Sequence, residues 1–101
     1  MITKEHLPIQ FTGTGEVKGM KFSSVHLHPR VSLFKVSNGK TEHFEVFLRV
    51  YTRKLENFAE RRYSETEYKE VYPKAKEFGV RAWSFRSYDK AVERYKSLRE
   101  E

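Results

Sequence analysis

Two alternating runs, residues 31–36 and 42–53, flank the pair Asn38-Gly39, and no other feature restricts the folding of this chain as much. Strand side chains alternate between faces with a period of two. Val31, Leu33, Phe44, Val46, Leu48 and Val50 therefore fall on one side, and Arg30, Phe34, His43, Phe47, Arg49, Tyr51 and Arg53 on the other. The first set makes a core face; the second mixes bases with aromatic rings. Asn-Gly between such runs is the strongest short-range hairpin signal. With Asn38 and Gly39 at the centre of the turn, Ser37 faces Lys40, Leu33 faces Phe44, Val31 faces Val46 and Lys35 faces Glu42. The two apolar pairs and the Lys35–Glu42 pair are each worth roughly 0.2–1 kcal/mol, and a one-residue slip loses all three.

The rest of the chain is read around this hairpin. Residues 1–12 are an irregular lead-in containing Pro8 and a candidate strand fragment around 9–11, and Gly13-Thr14-Gly15 is a turn. A strand follows over 16–27, with a bulge near Ser23-Ser24 where the apolar phase shifts between Phe22 and Val25. His28-Pro29-Arg30 ends it, since Pro cannot donate to a central ladder. Residues 16–53 thus form a three-stranded meander. Residues 54–79 lack clean periodicity and read as an irregular insert. Residues 80–85 form a fourth strand with Trp83 and Phe85 on one face. Ser87 is a good N-cap, and Tyr88, Ala91, Val92, Tyr95 and Leu98 recur at helical spacing. The expected fold is α+β: one domain over 1–101, an antiparallel sheet of about four strands, and one C-terminal helix across a face.

Charge narrows the function classes. The chain carries 20 Lys and Arg against 14 Asp and Glu, for a net charge of +6. Half of that surplus falls in residues 49–62, which hold five bases and two acids. A local basic excess attracts polyanions in a salt-dependent way. The absence of cysteine rules out disulfides, thiolate metal sites and cysteine nucleophiles. Residues 1–11 hold no apolar run of signal-peptide or membrane-span length, so the expected location is cytoplasmic.

No motif points to catalysis. The glycines at 13, 15 and 19 precede a strand, whereas a phosphate loop must open a helix. His26 and His28 lack a third ligand, because His43 lies too far down the hairpin. There is no G-x-S-x-G elbow, and Glu42 and Glu45 point to opposite faces of one strand. The expectation is therefore no enzyme activity, no metal, no cofactor and no small-molecule substrate.

The presented face of the hairpin carries the functional expectation. Arg30 lies opposite Phe47 and Phe34 opposite His43 in the register above, and Arg49, Tyr51 and Arg53 continue the face. Rings stack bases and guanidinium groups meet phosphates, the mixture that single-stranded nucleic-acid platforms use. The candidate binding residues are Arg30, Phe34, Phe47, Arg49, Tyr51, Arg53, Lys54, Arg61 and Arg62. Burial of Phe34 and Phe47 beneath residues 54–79, as a second small core, is the competing reading. A protein-interaction module or homodimer using the same face is the alternative function, since Tyr and Arg are also enriched at protein hot spots.

The pieces Gly15-Glu16-Val17-Lys18-Gly19, His43-Phe44-Glu45-Val46-Phe47, Tyr72-Pro73, Phe78-Gly79 and Ala82-Trp83 together resemble small uncharacterised proteins from phages and mobile elements of gut bacteria. The resemblance covers roughly residues 13–98. It implies no catalytic residue or cofactor, only an accessory role in handling nucleic acid or binding a host or phage protein. Residues 80–98 also resemble the closing strand and helix of the AP2-type integrase arm-binding domain, which sets a three-stranded antiparallel sheet against one helix. Longer strands and the 54–79 insert depart from that pattern.

Overall fold

The Asn38-Gly39 hairpin forms, with a wider turn than two residues. In the computed structural model, which describes residues 1–100, Asn38 Oδ1 accepts from the backbone N–H groups of Lys40 (2.9 Å) and Thr41 (2.8 Å). Asn38 N–H donates to Thr41 O at 3.2 Å, and Gly39 takes the left-handed φ of 92° that its missing Cβ permits. Four residues therefore sit in the loop and Ser37 pairs with Glu42, so the expected register moves by two. Leu33 faces Val46, Val31 faces Leu48 and Lys35 faces Phe44. Because the shift is even, every side chain keeps its expected face. Lys35 still reaches Glu42, on the diagonal, at 3.4 Å.

In chain order the elements are β1 (Thr3–Glu5), β2 (Gln10–Thr12), β3 (Lys21–Leu27), β4 (Val31–Ser37), β5 (Glu42–Leu48), β6 (Val50–Asn57), β7 (Arg62–Val71), β8 (Ala82–Phe85) and α1 (Tyr88–Arg99). Single 3-10 turns cover Gly15–Val17 and Ala75–Glu77. The residues group into two compact units. The smaller comprises Met1–Leu7 and Val50–Tyr72; the larger comprises Pro8–Arg49 and the chain from Pro73 onward.

The larger unit is an antiparallel sheet in the order β2-β3-β4-β5-β8, with α1 on one face. This bears out an antiparallel sheet with one C-terminal helix, with five strands rather than about four. Val31, Leu33 and Val46 are 0% exposed and pack against Ala91, Tyr95 and Leu98 of α1. Trp83 and Phe85 lie opposite Val46 and Phe44, on that same face. The helix starts where expected, with Ser87 Oγ accepting from Lys90 N–H at 3.3 Å. The bulge in β3 falls between Ser24 and His26, and the Glu16–Val17 end of the expected strand is a 3-10 turn.

The opposite face of this sheet is also a core. Phe22, Phe34, Val36 and Phe47 are each at most 1% exposed. Phe34 stacks on Phe47 with ring centroids 5.6 Å apart, and Phe11 stacks on Phe22 at 4.6 Å. Such ring pairs add roughly 0.5–1.5 kcal/mol beyond the area they bury.

The smaller unit takes up residues 1–7 of the expected lead-in and 54–72 of the expected insert, while residues 10–12 of the lead-in form β2 of the larger sheet. Its sheet runs β1-β7-β6, with β1 parallel and β6 antiparallel to β7. The third strand of the expected meander in fact breaks at Arg49, and its second half becomes β6 of this separate sheet. Two register shifts in β6, around Leu55, break the period-two pattern and hide the strand from a hydropathy reading. The described residues include no helix long and apolar enough to cross a membrane.

Candidate nucleic-acid interface

The nine candidate residues do not form one face. Arg30, Phe34, Phe47 and Arg49 belong to the larger unit, and Tyr51, Arg53, Lys54, Arg61 and Arg62 to the smaller. Phe34 and Phe47 are corrected from presented rings to core: at 1% and 0% exposure they offer no surface on which a base can stack. The expected cross-strand neighbours change as well, because Phe47 lies opposite Ser32 and Phe34 opposite Glu45. Arg49 is tied into the turn that precedes β4. Its Nη1 donates to His28 O at 3.0 Å and its backbone N–H to Arg30 O at 2.9 Å. Arg30 is exposed at that turn, where its backbone N–H donates to His28 Nδ1 at 3.1 Å.

In the smaller unit the register sorts side chains by face. Lys4 pairs with Tyr68, which pairs with Arg53, and Glu70 pairs with Tyr51. Directly paired residues share a face, so Lys4, Tyr51, Arg53, Tyr68 and Glu70 lie together. Ring contacts agree: Lys4 Nζ sits 5.0 Å from the Tyr51 ring centre, and the Arg53 guanidinium 5.6 Å from that of Tyr63. His6 Nδ1 lies 2.7 Å from the Tyr51 hydroxyl, which fixes the tilt of that ring. Glu70 is 6% exposed, and its carboxylate accepts from Leu7 N–H at 3.0 Å. Cations of this kind over tyrosine are worth about 0.5–1 kcal/mol at exposed sites.

The reverse face is a charged ladder. Glu5 pairs with Lys69, and Lys54 Nζ donates to Glu5 Oε2 at 2.7 Å. That bond holds the Glu5 carboxyl below the ordinary glutamate value and raises the Lys54 ammonium above its own. Lys54 therefore faces away from Tyr51 and Arg53. Arg62 pairs with Glu56 (3.7 Å) and Glu60 (3.8 Å) at the distal end of the hairpin. Arg61 lies in the turn itself, with a left-handed φ of 51°.

Folding also redistributes the charge. The basic excess of 49–62 is offset in the smaller unit by Glu65, Glu67 and Glu70 of β7. Within that unit Lys4, Arg53, Lys54, Arg61, Arg62 and Lys69 match Glu5, Glu56, Glu60, Glu65, Glu67 and Glu70 one for one. The net +6 of the chain thus belongs to the larger unit. Its tyrosine face carries Lys4 and Arg53 with the buried Glu70, and its other face carries Glu5, Lys54 and Lys69.

Lys4, His6, Tyr63 and Tyr68 are the members of this face that the sequence reading missed. A signal was present, since Glu65, Glu67 and Lys69 alternate with Thr66, Tyr68 and Glu70. It is not an alternation of hydropathy, since Glu70 puts a charge on the Tyr68 side as well. Comparison with known proteins yields no matching family model, no matching curated protein and no matching solved structure.

Proposed function

We propose that this protein is a small accessory module that binds single-stranded nucleic acid on the tyrosine face of the β1-β7-β6 sheet. The observation that carries the reading is the interleaving on that face of Tyr51, Tyr63 and Tyr68 with Lys4 and Arg53. Stacking on aromatic side chains is worth about 1–3 kcal/mol per base and tolerates any sequence, while flanking cations neutralise phosphates. Tyr63, 46% exposed, and the exposed Arg53 are the accessible pair. The net +6 of the chain adds a general attraction for polyanions.

The second reading is a protein-interaction module or homodimer, favoured by one observation. Leu55 and Phe58, 44% and 84% exposed, join Tyr63 near the distal end of the β6–β7 hairpin. Salt separates the two readings. Fluorescence anisotropy with labelled single- and double-stranded oligonucleotides at about 50 and 200 mM salt should show single-strand binding that weakens steeply. Self-association that changes little over the same range, with no oligonucleotide bound at low salt, would overturn the first reading in favour of the second.

A further inference from the structure

We propose that a cleft of the larger unit, beside the Glu42 end of β5 and the Phe85 end of β8, binds a phosphomonoester or similar tetrahedral oxyanion. The cleft measures about 410 Å³ and is lined by Thr41, Glu42, His43, Ser84 and Arg86. Beneath it lies a buried carboxylate: Glu45 is 4% exposed, and its Oε2 is 2.9 Å from His43 Nε2. Nε2 faces Glu45, and Nδ1 is the other ring nitrogen. When the ring is charged it forms an ion pair with Glu45, and both nitrogens donate.

The strand register brings hydroxyl and guanidinium donors to the same place. Ser84 is the cross-strand partner of Glu45 and shares its face, and Arg86 follows two residues later, just past the end of β8. The acid on the rim, Glu42, is paired with Lys35 at 3.4 Å, which offsets its repulsion of an anion. Arg presents a fork that fits two oxygens of a phosphate, with charge-assisted bonds roughly twice as strong as neutral ones. The Ser84 hydroxyl, the Arg86 fork and, when the ring is charged, His43 Nδ1–H donate to the several acceptor oxygens of such a group. This site is independent of the tyrosine face of the smaller sheet, and either can fail without the other.

The test is an NMR titration of the intact chain with sodium phosphate at fixed ionic strength, following the His43 ring, the Arg86 side chain and the Ser84 amide. The expected result is a saturable shift of all three. Arg86→Gln should weaken it by about tenfold, the weight of one charge-assisted bond, and Lys96→Gln on the exposed side of α1 should leave it unchanged. An unmoved His43, or equal weakening by both substitutions, would overturn the site and leave only diffuse attraction to a basic chain. Dinucleotides with and without a 5′-phosphate identify the source. Tighter binding of the phosphorylated form than of inorganic phosphate assigns a strand end, and equal binding assigns free phosphate.

Discussion

Replacing Phe47 with alanine separates a core ring from a presented one by magnitude alone. The ring is 0% exposed and stacks on Phe34, which is itself 1% exposed. Phe→Ala in a packed core costs about 3–5 kcal/mol, of which roughly 0.5–1.5 is the lost ring pair. Against a total stability of about 5–15 kcal/mol for a domain, that is a large fraction. With a urea slope of about 1.5 kcal/mol per molar, the unfolding midpoint should fall by about 2–3 M. The single tryptophan, Trp83, packs against the core of the same unit and reports the transition by fluorescence. Phe47→Leu keeps most of the volume, so it should stay folded with a smaller loss. The exposed Tyr63, changed to alanine, should cost less than about 1 kcal/mol. A Phe47→Ala protein that loses less than about 1 kcal/mol yet binds oligonucleotide poorly would refute the burial argument and restore the ring to the surface.

Three further outcomes follow from single observations. Ser32 is 0% exposed and its hydroxyl has no hydrogen-bond partner among the described residues, so Ser32→Ala should be neutral or stabilising by about 1 kcal/mol in urea unfolding; a clear loss would mean the hydroxyl is satisfied. Arg61 holds a left-handed φ of 51° that costs an L-residue energy, so Arg61→Gly should raise thermal stability by about 0.5–1 kcal/mol, and a drop would show that its side chain holds the turn. Glu5 and Glu77 are held below the ordinary glutamate value by bonds from Lys54 and Arg81. Their contribution is therefore complete above about pH 4.3 and is lost as pH falls through the lowered values. Lys54 is shifted upward, so its share is complete below about pH 10.4 and is lost as pH rises through its raised value. Urea midpoints between pH 7 and 3 should fall less steeply for Lys54→Gln than for the parent, by the small amount an exposed pair allows; superimposed curves would remove the pair from the account.

What the sequence made legible was decided by apolar contrast. The α1-facing residues Val31, Leu33 and Val46, Leu98 of α1 and the Ser87 cap follow from hydropathy and capping, and all sit where the pattern puts them. The turn at Asn38 was legible as a turn, but its length was not. Nothing in Asn-Gly alone reveals that the Asn38 side chain takes up two N–H groups and admits Lys40 and Thr41. The second face misled because Phe34, Phe47 and Arg53 alternate correctly along the chain, yet β6 leaves for another sheet after Arg49. A strand changing sheets leaves no trace in period-two alternation. The β1-β7-β6 sheet escaped notice because both of its faces carry charged residues, and because β1, which completes it, lies over 40 residues away in sequence.

The central claim is that Lys4 and Arg53 meet phosphates beside the tyrosines of the small sheet. Its most direct test is the slope of log binding constant against log salt for a single-stranded oligonucleotide, measured on the parent chain and on a Lys4→Ala/Arg53→Ala double variant. Each phosphate contact contributes about 0.7 to the slope for single strands, so the double variant should be shallower by about 1.4. A Lys96→Ala/Arg99→Ala control, on α1 of the larger unit, should keep the parent slope. Equal flattening by both pairs, or an unchanged slope in the Lys4/Arg53 variant, would contradict the assignment of binding to the tyrosine face.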